Sequence, residues 1–157
     1  MNSDSNSSVK RFGKILIAID GSEHSFQAAE YALDLAKKFE AQLYAVTVTY
    51  IPSTENLSHK QVLSKSLVED GNKDMKNSEQ WFDNFVQKAS EYNVNLKTEL
   101  LNSTRPVDYV LLEFAEENGI DLIVMGTKGR TGFKKLLLGS VASSVSTYAH
   151  CPVLIVK

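Results

Sequence analysis

Three apolar runs of four or five residues, Ile15–Ile19, Leu122–Met125 and Val153–Val156, do most to limit what this chain can fold into. Each is almost unbroken instead of alternating, the pattern of strands covered on both faces, as in a parallel sheet. Each is also far shorter than the ~20 residues that cross a bilayer, so no membrane role is expected. Parallel strands need crossover connections, and the segments between the runs supply helical spacing. Phe26, Ala29, Leu33 and Ala36 recur at that spacing up to about Phe39, behind a cap supplied by Ser22 or Ser25. Gln42–Thr49 is β-branched and aromatic and predicts a second strand. Trp81, Phe82, Phe85, Val86 and Ala89 predict an amphipathic helix that packs on the core, and Val94–Leu101 alternates like a strand near a sheet edge. Thr104-Arg105-Pro106 reads as a helix start, with Thr104 as cap and Pro106 in the first turn. Val107, Val110, Leu111 and Phe114 form that helix's buried stripe, and Asn118-Gly119 ends it. A last helix carries Val141, Val145, Tyr148 and Ala149 on one face.

This order predicts an α/β protein, a single three-layer α/β/α sandwich around a five-stranded parallel sheet with right-handed crossovers. A length of 157 residues fits one domain. Residues 1–12 are read as a disordered tail, since Met1–Val9 is rich in Ser, Asn and Asp and has no apolar run for a secretory signal. Residues 13–157 form the body. Within it, residues 50–75 are read as a variable insertion, because Pro52, Ser53, Thr54, Asn56, Gly71 and Asn72 interrupt weak apolar positions; a short helix around Lys60–Val68 is the alternative there. Seventeen Lys and Arg against nineteen Asp and Glu give a net charge of −2, which leaves no excess of cations for nucleic acid. The lone Cys151 excludes an internal disulfide and points to a reducing cytoplasm. His24, His59 and His150 are too scattered for a metal site and are assigned surface roles, and no catalytic residue stands out.

In an open parallel sheet, ligands bind beyond the carboxyl ends of the strands. Two such ends carry chemistry. The first is Asp20-Gly21-Ser22; the second is Gly126–Gly132, followed by Gly139–Ser144, where a helix begins with small and hydroxyl residues. A helix start offers free N–H groups and the positive dipole end, which suit an anion. Gly126 and Gly129 are expected to take positive φ and let backbone approach a ligand, and Gly139 leaves room for a phosphate at the helix start. Asp20 reads equally as a ligand contact and as a turn former through its own side chain. Neither GxGxxG after the first strand nor GxxxxGK[ST] is present.

What is present is GxxG, nine residues, then GS: Gly126, Gly129, Arg130 to Leu138, Gly139-Ser140. With Leu122–Met125 before it and Cys151–Val156 after it, this pattern resembles the universal stress protein family, a likeness that extends over Lys14–Lys157. The resemblance implies strand order 3-2-1-4-5 in a Rossmann-like, adenine nucleotide alpha hydrolase-like fold, and the intact glycine motif implies the branch that binds ATP. Carried over by position, Gly126, Gly129 and Arg130 line ribose and phosphates, while Gly139, Ser140 and Val141 hold phosphates at the last helix. Met125 flanks the nucleoside, Asp20 lies beside the adenosine, and Val48 faces the adenine. The family also implies a homodimer through the C-terminal strand, an assembly that would cover the apolar edge of Val153–Val156. The expected function is a cytoplasmic ATP-binding stress-response protein, a nucleotide-dependent regulator with at most slow hydrolysis, with Mg²⁺ accompanying the phosphates. Two alternatives stay open: a Mg²⁺-dependent ATPase or nucleotidyl-transfer enzyme using Asp20 or Ser140, and a nucleotide-free dimeric interaction protein. AMP or cyclic AMP also fits, because a glycine loop recognises phosphate and not its number.

Overall fold

In the computed structural model, residues 11–51, 61–128 and 138–157 are described, with 61–75 described as backbone alone. The chain runs β1 (Lys14–Ala18), α1 (Glu23–Phe39), β2 (Gln42–Tyr50), α2 (Gln61–Glu91), β3 (Leu96–Ser103), α3 (Val107–Glu117), β4 (Leu122–Gly126), α4 (Ser140–Tyr148) and β5 (Val153–Val156). The strands form one parallel sheet in the order β3-β2-β1-β4-β5. Ile15, Leu16 and Ile17 are all 0% exposed, which requires cover on both faces of β1. Alternate residues supply the two cores. Ile15, Ile17, Leu43, Ala45, Leu122 and Val124 pack with the α1 and α2 side chains Ala29, Leu33, Phe82 and Phe85. Leu16, Tyr44, Val46, Ile123 and Met125 pack with Leu111 and Ala115 of α3 and Ala142 and Val145 of α4. Each fully buried Leu or Ile contributes about 1.5–3 kcal/mol relative to exposure.

Helix boundaries follow local chemistry. Ser22 is the cap of α1 and accepts a hydrogen bond from Ser25 N at 3.2 Å, while the Ser25 hydroxyl donates to the Ser22 carbonyl at 2.8 Å. Asn118 closes α3 and Gly119 follows at φ 62°, the left-handed turn expected after a helix. The start of α3 corrects the sequence reading: Pro106, not Thr104, is the cap residue, it lies at φ −54° and ψ 144°, and no side chain caps this helix. The extended ψ of Pro106 delays the helix by two residues.

The largest difference is α2, which is continuous for 31 residues where Gly71-Asn72 was expected to interrupt it. A glycine inside a helix costs only about 1 kcal/mol, and extending a helix already nucleated by a packed segment is inexpensive. Three residues assigned to buried stripes are exposed: Phe26 at 40%, Val86 at 48% and Tyr148 at 71%. The nine-residue α4 rests on the sheet through Ala142 and Val145, which leaves Tyr148 at the rim. Phe12, placed in the tail by its position, packs edge-on against Phe39 with ring centroids 5.1 Å apart. Residues 1–10 and 52–60, which hold the rest of the tail and the proline-containing part of the expected insertion, lie outside the described residues.

Candidate nucleotide site at the carboxyl ends of β1 and β4

The two motif-bearing strand ends meet. β1 stops at Ala18, and Ile19 N donates to Val46 O at 2.9 Å before the chain turns at Asp20-Gly21-Ser22. β4 stops at Gly126, after which Thr127 N donates to Val156 O at 2.9 Å and Gly139 N donates to Thr127 O at 2.6 Å. That second bond seats the start of α4 on the end of β4. A weak bridge joins the two turns, with the Ser22 hydroxyl 3.4 Å from the Lys128 carbonyl oxygen.

Gly139 is the cap residue of α4 and has no side chain to cap the helix. The first intrahelical bond runs from Ser143 N to Gly139 O at 2.9 Å. The N–H groups of Ser140, Val141 and Ala142 therefore have no partner within the helix, as helix geometry dictates. Ser140 is exposed, Val141 half-buried and Ala142 buried. They carry the positive end of the helix dipole. By contrast, the start of α1 is closed by its own Ser22 side chain.

Beside this donor set lies an apolar surface. β2 overruns β1: the last β1 pair is Ala18 with Val46, and Thr47–Tyr50 continue against β3 alone. Val48 thus projects past the end of β1, half-buried against the cluster that contains Met125, as are Leu138 and Val141. The opposite face of the same overhang is polar, with the Thr47 hydroxyl donating to Ile19 O at 2.9 Å and the Thr49 hydroxyl buried with no partner among the described residues.

Asp20 is half-buried, and its Oδ1 accepts from Ser22 N at 2.9 Å. The turn-forming role is real. Among the described residues its second oxygen has no hydrogen-bond partner, so the same carboxylate retains an acceptor for a hydroxyl. Of the sequence-predicted set, the structure brings together Asp20, Val48, Met125, Gly126, Gly139, Ser140 and Val141 at this end of the sheet; Gly129 and Arg130 lie outside the described residues.

One glycine assignment changes. Gly126 does not take positive φ; a methyl there would lie 2.8 Å from the His24 carbonyl carbon and Cβ and 2.9 Å from its oxygen. Its small size admits the first turn of α1. Gly139, from which no positive φ was expected, sits at φ −67°. Positive φ falls instead on Gly21, at 81°. Sequence reasoning also missed His24, assigned to the surface, whose Nδ1 is buried and has no hydrogen-bond partner among the described residues. A histidine in a helix's first turn carries no local signal that a distant strand end will cover it.

Resolved shifts of acidity lie elsewhere. The Arg105 guanidinium, hydrogen-bonded to Glu113 at 3.0 Å, holds that exposed carboxyl below the usual range. Burial pushes the Cys151 thiol up, with the charge of Asp121 adding to it. Among the described residues no group of three or more His, Cys, Asp or Glu is placed to hold a metal ion, and no helix is long and apolar enough to cross a membrane.

The same architecture recurs in known proteins. The solved structure of the universal stress protein UspA from Lactobacillus plantarum superposes with a TM-score of 0.81 at 24% identity, covering 94% of this chain and 99% of that one. A universal stress protein from Archaeoglobus fulgidus in complex with dAMP superposes with a TM-score of 0.66 at 18% identity, over 93% of this chain and 98% of that one. A universal stress protein in complex with cAMP gives a TM-score of 0.60 at 21% identity, over 93% and 97%. In sequence, the universal stress protein MJ0531 of Methanocaldococcus jannaschii is 41% identical over 150 residues, 93% of this chain and 82% of the relative. With the family model of universal stress proteins matching residues 11–157 as well, this chain belongs to the universal stress protein family.

Proposed function

We propose that this protein binds an adenine nucleotide, ATP in the first place, at the carboxyl ends of β1 and β4, and acts as a nucleotide-dependent regulator in a stress response. The observation that carries the reading is the α4 start, without a side-chain cap, beside a half-buried apolar ledge and a carboxylate with an unused oxygen. Each part matches one part of the ligand. Val48 and Met125 offer apolar contact to adenine. Asp20 accepts from a ribose hydroxyl. The N–H groups of Ser140 and Val141, with the Ser140 hydroxyl and the room left by Gly139, take the phosphates. Gly126, Gly129 and Arg130 complete the ribose and phosphate side on the strength of the motif. Mg²⁺, when bound with ATP, would neutralise phosphate charge, and the reading needs no protein metal cluster.

The complexes of two neighbours in the fold with cAMP and dAMP support an adenine nucleotide as the ligand class. Regulation in place of rapid turnover fits a site whose donors bind charge and assign no general base. The reading includes a cytoplasmic location and a homodimer paired through β5, an edge strand bonded to β4 on one side only. Calorimetric titration with ATP and Mg²⁺, AMP and cyclic AMP tests it. Saturable binding of ATP, lost in Gly129→Val, is the expected result; no heat with any of the three overturns it.

A further inference from the structure

The Asp20-Gly21-Ser22 turn is held from outside its own strand and helix. Gly21 lies at φ 81°, and a methyl group on it would fall within the indole of Trp81, 3.0 Å from Cε2. The indole therefore rests directly against the Gly21 backbone. Phe26 meets the Trp81 ring edge-on, with centroids 6.0 Å apart and planes at 77°, and Trp81 packs against the core formed by α1, α2 and the sheet. One turn earlier on α2, Ser78 is fully buried, so this part of the helix is anchored.

The turn under the indole serves three purposes at once. It carries the Asp20 carboxylate, whose Oδ1 accepts from Ser22 N at 2.9 Å. It supplies the cap of α1 through Ser22 Oγ and Ser25 N, 3.2 Å apart. It approaches the glycine-motif strand end through Ser22 Oγ and Lys128 O, 3.4 Å apart. A glycine visits negative and positive φ about equally when nothing restrains it. A ring seated on it removes the alternatives.

We propose that Trp81 is a positioning residue that holds this turn in the shape presenting Asp20 to the ligand, so that α2 and the nucleotide site bias one another. The second half rests on the nucleotide reading above; the first does not. If seating of the indole raises ligand affinity, bound ligand must tighten the indole by the same factor. The crossover helix between β2 and β3, whose first half falls in the residues 50–75 read from sequence as an insertion, then becomes the element through which occupancy of the site is read.

The test compares full-length wild type, Trp81→Leu, Trp81→Phe and Phe85→Ala. Phe85 is buried on the same helix and in the same core, and has no contact with Gly21 in the set that a methyl there would meet, so it reports on stability alone. Amide hydrogen exchange without nucleotide is expected to quicken at Ser22 and Ser25 in Trp81→Leu, to recover in part in Trp81→Phe, and to stay at the global rate in Phe85→Ala. ATP affinity is expected to fall on the order of tenfold in Trp81→Leu, which follows if the turn is then competent about a tenth of the time. Phe85→Ala should lower the melting temperature and leave that affinity unchanged. Because Trp81 is the chain's one tryptophan, its emission in wild type should shift as ATP binds. Unchanged exchange in Trp81→Leu, or equal changes in Phe85→Ala, overturns the positioning role. Bound ATP with unaltered Trp81 emission and unaltered affinity in Trp81→Leu overturns the coupling. If wild type binds no adenine nucleotide, the function reading and the coupling both fail, while the exchange rates still decide whether Trp81 holds the turn.

Discussion

The two ends of the sheet are made from the same strands and helices yet offer opposite chemistry. At the carboxyl ends, α1 and α4 begin, and α4 begins without a side-chain cap. At the amino ends, α1, α3 and α4 finish, so carbonyl groups predominate. One of those carbonyls is answered from within, Lys14 Nζ donating to Asn118 O at 2.9 Å, and the backbone donors Gly13 N and Lys14 N there are taken by Asp121 Oδ2 at 2.8 Å. His150 Nε2 lies 3.0 Å from Ile120 O. A concavity of about 590 Å³ lies there, lined by residues that include Arg11, Asp121, His150 and Cys151. A hollow is not by itself a binding site. The end with unused, same-signed donors is better suited to a charged ligand than the end where charges already satisfy one another.

The contrast can be broken most forcefully at its glycines. Gly126→Val drives a side chain into the His24 backbone, which cannot yield as a side chain would. A loss of about 3 kcal/mol is expected by urea unfolding. At the other end Gly119, at φ 62° with open space where a methyl would go, should cost only about 1 kcal/mol as Ala. Equal losses would mean that α1 is not seated on β4 as described.

A pair of carboxylates sharpens the comparison further. Asp121→Ala removes the acceptor of two backbone donors and should cost about 2 kcal/mol of stability, with ATP affinity unaltered in calorimetry. Asp20→Ala should do the reverse, weakening ATP roughly tenfold, a difference of about 1.4 kcal/mol, while moving the unfolding midpoint less than Asp121→Ala. Exchanged outcomes would reverse the assignment of the two ends.

The smallest effect concerns Cys151. Burial first and the Asp121 charge second keep its thiol protonated to higher pH than a free cysteine, so less thiolate is present at neutral pH. Alkylation by iodoacetamide at pH 7.5 should run severalfold slower in the folded protein than in urea. A rate faster than in urea would contradict a structural thiol at the amino end.

Much of this was readable from local pattern. Unbroken runs such as Ile15–Ile19 and Leu122–Met125 specify double-sided burial because both alternating faces of the strand are apolar, and Asn118-Gly119 marks a helix end because glycine accepts the left-handed turn. The spacing from Gly126 to Ser140 carried the family, and with it the strand order later found in the sheet. Pattern failed where one element's fate depends on another distant in sequence. Gly71 interrupts a periodicity but not α2, since about 1 kcal/mol does not break a helix anchored by Phe82 and Phe85.

Period and polarity along the chain, then, determined the strands and most of the helices, because hydrophobic burial and backbone geometry act within a few residues. Tertiary structure alone decided which backbone meets which glycine: His24 against Gly126 and Trp81 against Gly21. Those contacts join residues far apart in sequence. They arise only once two helices have been laid on the sheet, where close packing fixes what each small residue admits.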